Sequence, residues 1–277
     1  MSKMRLLCST GTFSRDPDRT GHTAILEYGP DLDVDGFEVI FYSDWYDNAG
    51  RIAADLGGSG LAFPALHAEK SIGPLLGGAT REENKQSFQN LIKNCSLAAE
   101  IGAELVVLHL WGLPASDLYI ERNLAALSDC LSIAADHGLQ LAVETVPAKQ
   151  SDPLTIVRRA LDMDDRCKVA LDTEFLASHD QLWPALDADW LWQSGAVVHV
   201  HIKDYNGTML TPDNRRQYLH PGEGDIDFPA FFKRLRERGF EGNISLEASV
   251  VGVDGSVGIE KLENSLTKVR ELANSKE

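Results

Sequence analysis

Apolar residues along this chain fall into short runs that alternate at every second position, separated by longer stretches in which they recur every three or four. In Val197–Asp204, strict alternation puts Val198, Val200 and Ile202 on one side and His199, His201 and Lys203 on the other. Three more runs close on an acid with a small residue beneath it: Ala142 under Glu144, Ala170 under Asp172, and Ser245 under Glu247. Further strands are predicted over Arg5–Thr10, Gly36–Tyr42, Leu61–Ala68 and Leu105–Trp111. In the second of these Glu38 faces opposite to Phe37 and Val39, the third ends at His67, and in the last His109 and Trp111 share a face. Pro64 removes a ladder donor and leaves the register of its strand open.

The stretches between are helical. Thr80-Arg81-Glu82-Glu83 has capping-box spacing, Phe88, Leu91, Ile92, Cys95 and Ala99 follow at helical period, and Gly102 supplies a stop. Ile120, Leu124, Leu127, Leu131 and Ala134 form the next stripe, Asp152-Pro153 opens another helix, and Phe228–Leu235 and Ile259–Val269 make the last two. Gly11–Pro17 reads as a turn-rich loop, and the stretch from Tyr205 to about Asp227 has no periodicity, only turn residues. A loop that long beside a strand end is usually functional, and it is expected to cover the mouth.

Eight strands alternating with helices favour a parallel sheet. Glu144, Asp172 and His201 recur about every 30 residues, which matches the ~250 residues of a (β/α)8 TIM barrel. The expectation is an α/β fold forming a single domain over residues 1–277. A doubly wound open sheet is disfavoured, because no Gly-x-Gly-x-x-Gly turn follows the first strand.

Composition narrows the partners. The hydrophobic fraction of 43% suits a globular chain, and no apolar run approaches a membrane span. A net charge of −16 opposes tracking of a nucleic-acid backbone. Met1–Cys8 carries no signal-peptide pattern, and Cys8, Cys95, Cys130 and Cys167 lie in apolar or helical patterns without Cys-x-x-Cys, so a cytoplasmic protein with reduced core cysteines is expected. Nothing in the sequence argues against a homo-oligomer.

The chemistry follows from the strand ends. Glu144, Asp172, His201 and Glu247 would gather three carboxylates and an imidazole at one barrel mouth, where burial without a partner is costly. A single divalent cation would resolve that cost. An oxygen-rich set with one nitrogen favours Mn²⁺, Mg²⁺ or Co²⁺ and is compatible with Zn²⁺.

The motifs Asp35-Gly36-Phe37-Glu38, Val143-Glu144, Leu171-Asp172-Thr173, Val200-His201-Ile202-Lys203-Asp204, Pro221–Phe228 and Leu246-Glu247, in this order, resemble the xylose-isomerase-like TIM-barrel superfamily of sugar isomerases and epimerases, which also includes AP endonucleases. The resemblance implies that Glu144, Asp172, His201 and Glu247 bind one divalent metal. Many epimerase relatives have a histidine three residues after the metal-binding Asp, where this chain has Phe175. That replacement and the acidic balance weigh against DNA repair.

The expected activity is isomerisation or epimerisation of a small sugar or hydroxy-ketone through an enediolate, with Glu144 and Glu247 as the two proton carriers. A dehydratase or lyase on a cyclic polyol or keto-acid, and a non-catalytic sugar-binding barrel, are the alternatives. His67 and His109 are candidates for substrate contact or for hydrogen-bonded core histidines. Lys203 either meets substrate oxygens or pairs with Glu144 or Glu247, Trp111 is an apolar wall for a sugar face or core, and Glu223 is a site residue in a glycine turn.

Overall fold

The computed structural model describes residues 4–14, 22–252 and 254–275. Residues 15–17 of the turn-rich loop, and the first three residues used in reading the N-terminus, lie outside that description. Eight parallel strands close in sequence order into a barrel: β1 (Arg5–Ser9), β2 (Gly36–Ile40), β3 (Ala65–His67), β4 (Leu105–Leu108), β5 (Gln140–Glu144), β6 (Lys168–Asp172), β7 (Val197–Ile202) and β8 (Asn243–Leu246). Each pairs with its successor, and β1 closes onto β8 with Leu7 opposite Ser245. This is the (β/α)8 architecture that the alternation predicts.

Strands buried on both faces need apolar residues at most positions. Leu6, Val39, Leu66, Val106, Val143, Leu171, Ile202 and Leu246 belong to the large core shared with the helices. Leu7, Ala65, Leu105, Val107, Ala142 and Ala170 form a separate interior cluster. Fully burying one Val or Leu side chain contributes about 2 kcal/mol, so this plug anchors the barrel and leaves its upper half for polar groups.

Strict alternation fails at one place. Val169 lies opposite Val197 but Ala170 lies opposite His199, so β7 carries one extra residue there. Val198 consequently packs against the interior cluster, apart from Val200 and Ile202 in the outer core. Strand ends also differ from the sequence reading. β3 begins only after Pro64, and β4 stops at Leu108, ahead of His109 and Trp111.

Local signals set the helix ends. In the helix Arg81–Glu100 the Thr80 hydroxyl accepts from Glu83 N at 3.1 Å, and Glu83 Oε2 accepts from Thr80 N at 2.9 Å. Asp152 caps Pro153–Met163 by accepting from Thr155 N at 2.8 Å. The predicted stripe Ile120–Ala134 is divided at Ala126 into the helices Ile120–Ala125 and Leu127–Asp136. Gly102, at φ 79°, sits where the chain must turn left-handed to leave its helix. Among the described residues no helix is long and apolar enough to cross a membrane.

The long loop after β7 is tied down by one buried carboxylate. Asp204 Oδ1 accepts from Tyr205 N at 2.8 Å and Ile226 N at 3.1 Å, while Oδ2 accepts from Gly222 N at 2.7 Å and Gly224 N at 2.9 Å. The loop therefore leaves and returns at the end of the same strand. Its middle, at Arg216 and Tyr218, reaches the barrel mouth and lines a cavity there. Asp204→Ala would strand those four donors and should lower stability by roughly 3 kcal/mol, read by urea denaturation. Gly224→Ala should also destabilise, since an added Cβ would lie 2.6 Å from both Asp204 Oδ1 and Tyr205 O. An unchanged denaturation midpoint for Asp204→Ala would refute the anchoring role.

Candidate metal centre and substrate cavity

Four strand ends deliver the central side chains. Glu144 closes β5, Asp172 closes β6, His201 lies near the end of β7, and Glu247 follows β8. Ligand atoms of all four lie within 4.8 Å of one another. That is the span needed by donors on opposite sides of one ion bonded at about 2.0–2.6 Å. Asp172 Oδ2 is buried without a hydrogen bond, although Lys203 Nζ lies 2.5 Å away. Three carboxylates and an imidazole converging on one centre, with a single ammonium among them, fit a divalent cation.

His201 orders the group because its two nitrogens face opposite ways. Nδ1 lies 2.9 Å from Glu144 Oε1, 3.7 Å from Glu247 Oε2 and 3.9 Å from Asp172 Oδ2. Nε2 lies 2.9 and 3.1 Å from the two oxygens of Glu38, which also accepts from Ser245 Oγ at 2.6 Å. The other oxygen of Glu144 is 2.5 Å from His109 Nε2 and 3.1 Å from His67 Nε2. Those three residues form a second cluster with metal-ligand spacing, and Glu38, His199 and His201 form a third. The quartet has four donors, and one of them, Glu247, faces a cavity.

That cavity, of about 280 Å³, lies over Lys203 and Glu247. Phe41, Tyr42, Phe175 and Tyr218 supply aromatic walls, and Ser14, Lys70 and Arg216 supply polar ones. Lys203 Nζ lies 2.7 Å from Glu247 Oε2 and 4.6 Å from the centre of the Phe175 ring. Arg216 is held by Glu174 at 2.7 Å and lies 4.6 Å from the Tyr218 ring centre.

Four of the five expected substrate contacts lie outside the lining of this cavity. Trp111 is fully buried, and its indole N–H donates to Pro147 O at 3.2 Å, so it is part of the core. Glu223 pairs with Lys261 at 2.7 Å and accepts from His220 N at 2.8 Å, fastening the long loop to the last helix. His67 and His109 sit behind Glu144 and outside the cavity lining. Lys203 pairs with Glu247 as one reading expected, but its second partner is Asp172 rather than Glu144. The sequence reading set Glu38 opposite in facing to Phe37 and Val39 without giving it a role, although an acid in mid-strand among apolar neighbours was the available signal.

Proximity shifts the charges. Against the upward push of burial, His201 and Lys203 bring Glu247 down to about 2, while His109 and His201 hold Glu144 well below the usual carboxylate range. Burial pushes Asp172 up to about 7, opposed by Lys203 and reinforced by Glu144 and Glu174. Burial opposes protonation of His201, but Glu247, Glu38 and Glu144 raise it well above an ordinary histidine. Burial also drives His109 down to about 4, outweighing the pull of Glu144.

These shifts have signed consequences for the metal-free protein. The unfolded chain protonates His109 near 6.5 but the native state only near 4, so stability should fall as pH drops through that window. Glu247 contributes stability above 4.5 that is lost as pH falls towards 2. Asp172, raised to about 7, works the other way and gains stability as pH falls from 7 towards 4, so the His109 contribution is read by urea denaturation in chelator as the stability of wild type minus that of His109→Gln, which should decline between pH 7 and pH 4. A difference between the two proteins that stays constant over that range would contradict the neutral, buried state of His109.

Residues 26–270 match the family described as xylose isomerase-like TIM barrel. The uncharacterized protein MJ1311 of Methanocaldococcus jannaschii is 28% identical over 161 residues, 54% of this chain, and the match spans about half of that relative, 52% of its length. Among solved structures, a D-tagatose 3-epimerase-like protein superposes with a TM-score of 0.68 at 22% identity, over 97% of this chain and 99% of that one. An L-ribulose 3-epimerase gives 0.67 at 17% identity, over 98% and 92% of the two chains. The apo form of the Escherichia coli 3-keto-D-glucoside 4-epimerase YcjR gives 0.66 at 19% identity, over 97% and 99%. At these identities the superpositions establish the fold alone, but the sequence match extends over most of the chain and over every strand from β2 to β8. The chain belongs to the xylose isomerase-like TIM-barrel family.

Proposed function

We propose that this protein is a divalent-metal-dependent isomerase or epimerase of a small sugar or hydroxy-ketone, acting in the cytoplasm. The observation that carries the reading is the Glu144, Asp172, His201 and Glu247 quartet directly beneath a cavity walled by aromatic and hydroxyl side chains. The similarity to the sugar epimerase structures described above supports it. A cavity of about 280 Å³ lies near the lower end of the usual ~300–1,000 Å³ for small-molecule sites, so it suits a single small substrate.

Glu144, Asp172, His201 and Glu247 would hold the ion, with Mn²⁺, Mg²⁺, Co²⁺ or Zn²⁺ compatible with the donors. When bound, it supplies positive charge opposite a carbonyl oxygen and its neighbouring hydroxyl, which acidifies the C–H between them. Glu247, open to the cavity, takes or returns a proton at that carbon, and Glu144 serves the opposite face. Lys203 Nζ, between Asp172 and Glu247, is placed to steady negative charge developing on substrate oxygen. Phe41, Tyr42 and Phe175 exclude water and orient the substrate by its apolar faces.

A dehydratase or lyase is the second reading. Lys203 favours it, because an ammonium beside Glu247 could protonate a leaving hydroxyl.

Metal-replete enzyme incubated with ketoses and polyols in D₂O should incorporate deuterium at carbon next to the carbonyl, followed by proton NMR. Glu247→Gln should keep its metal yet lose exchange by about 10²–10⁴-fold. His201→Ala should lose metal and exchange together. Full exchange in both metal-loaded Glu144→Gln and Glu247→Gln would sink the two-base mechanism, and loss of water from the substrate would favour the second reading.

A further inference from the structure

We infer that Glu38 is a positioning residue that aims His201, holding Nε2 of its ring so that Nδ1 is turned to the carboxylate quartet. The inference rests on the proposed metal site. An imidazole can offer either nitrogen, and the hydrogen bond made by one decides which the other presents. Here both Glu38 oxygens face Nε2, at 2.9 and 3.1 Å, while Nδ1 faces Glu144, Glu247 and Asp172.

Glu38 has little other reason to occupy its place. It lies in the middle of β2, completely buried, in a strand whose remaining residues are glycine and apolar side chains. Burying an ionised carboxylate there is costly unless it is hydrogen-bonded. Its partners come from across the barrel: His201 on β7 and the Ser245 hydroxyl on β8, which donates at 2.6 Å. The resulting Ser245–Glu38–His201 chain fixes the ring plane before any ion arrives. His199 supports it from beneath, edge-on at 4.9 Å between ring centres and 82° between planes.

Glu38, His199 and His201 also have the spacing of a metal site of their own. That assignment is weaker. Nε2 of His201 is already engaged with Glu38, the trio offers only three donors, and all three side chains are sealed from solvent. Both ring nitrogens of His199 lack hydrogen-bond partners, and its Nε2 lies 3.4 Å from Glu38 Oε2.

The test uses Mn²⁺ and Co²⁺ alone, titrated calorimetrically into the chelator-treated full chain as wild type, Glu38→Gln, Glu38→Ala and Ser245→Ala. Wild type should bind one equivalent. Glu38→Gln should bind one equivalent about 10–100-fold more weakly, Glu38→Ala at least as weakly, and Ser245→Ala a few-fold more weakly. Circular dichroism checks folding, and the isosteric Gln variant carries the test if the Ala variant does not fold. A second readout separates aiming from packing. In the Co²⁺-loaded protein the His201 Nε2–H should give a hyperfine-shifted, exchange-protected proton signal that shifts in Glu38→Gln and exchanges away in Glu38→Ala.

Equal affinity and an unmoved proton signal in Glu38→Gln would overturn the inference. Two equivalents in wild type, falling to one in Glu38→Gln, would make Glu38 a direct ligand and overturn it as well. No ion bound by wild type would overturn both this inference and the metal-dependent reading, whereas tight binding unaffected at Glu38 would leave that reading standing.

Discussion

The constraint on which this structure turns is an excess of buried negative charge. Glu38, Glu144, Asp172 and Glu247 converge at one end of the barrel, with Lys203 and His201 as the cationic groups among them. Carboxylates removed from water are tolerated only when paired and hydrogen-bonded. Each is accordingly in contact with Lys203, with an imidazole or with both, and the carboxyl of Asp172 still moves up to about 7. The remaining imbalance is what a divalent ion would relieve.

The barrel makes that concentration of charge affordable. A lower plug of Leu7, Ala65, Leu105, Val107, Ala142 and Ala170 fills the interior, and the outward faces of the strands are covered by helices. Small residues beneath the acids have a purpose here. Ala142 and Ala170 leave room for the layer above, and Ser245 supplies a hydroxyl where Glu38 needs one. The extra residue in β7 adds a local twist next to His199, which sits directly under His201.

Loops complete what the strands begin. Asp204, at the root of the long loop, gathers four backbone donors and thereby sets where Arg216 and Tyr218 meet the cavity. Glu223 and Lys261 fasten the far side of the same loop. The polar residues outside the cavity thus hold its walls in place, and those inside it include Lys203 and Glu247, which motif reading selects, beside Ser14 and Lys70, which it does not.

Much was legible in the sequence because it is written in short-range pattern. Period-two runs and capping signals determined the order of strands and helices, and shared facing at strand ends determined that Glu144, Asp172, His201 and Glu247 would be neighbours. Other features depend on register between distant strands. Glu38 and His201 are separated by 163 residues, and their contact requires the closure and stagger of the whole barrel. Trp111 turned into the core because β4 ends before it, and Val198 turned inward because of one inserted residue in the pairing with β6. The cavity walls come from loops without periodicity, whose paths are set by contacts such as those of Asp204. Local physics therefore determined which groups lie at the mouth, whereas tertiary structure alone decided which nitrogen of His201 faces the quartet, because that choice rests on a carboxylate from the other side of the barrel.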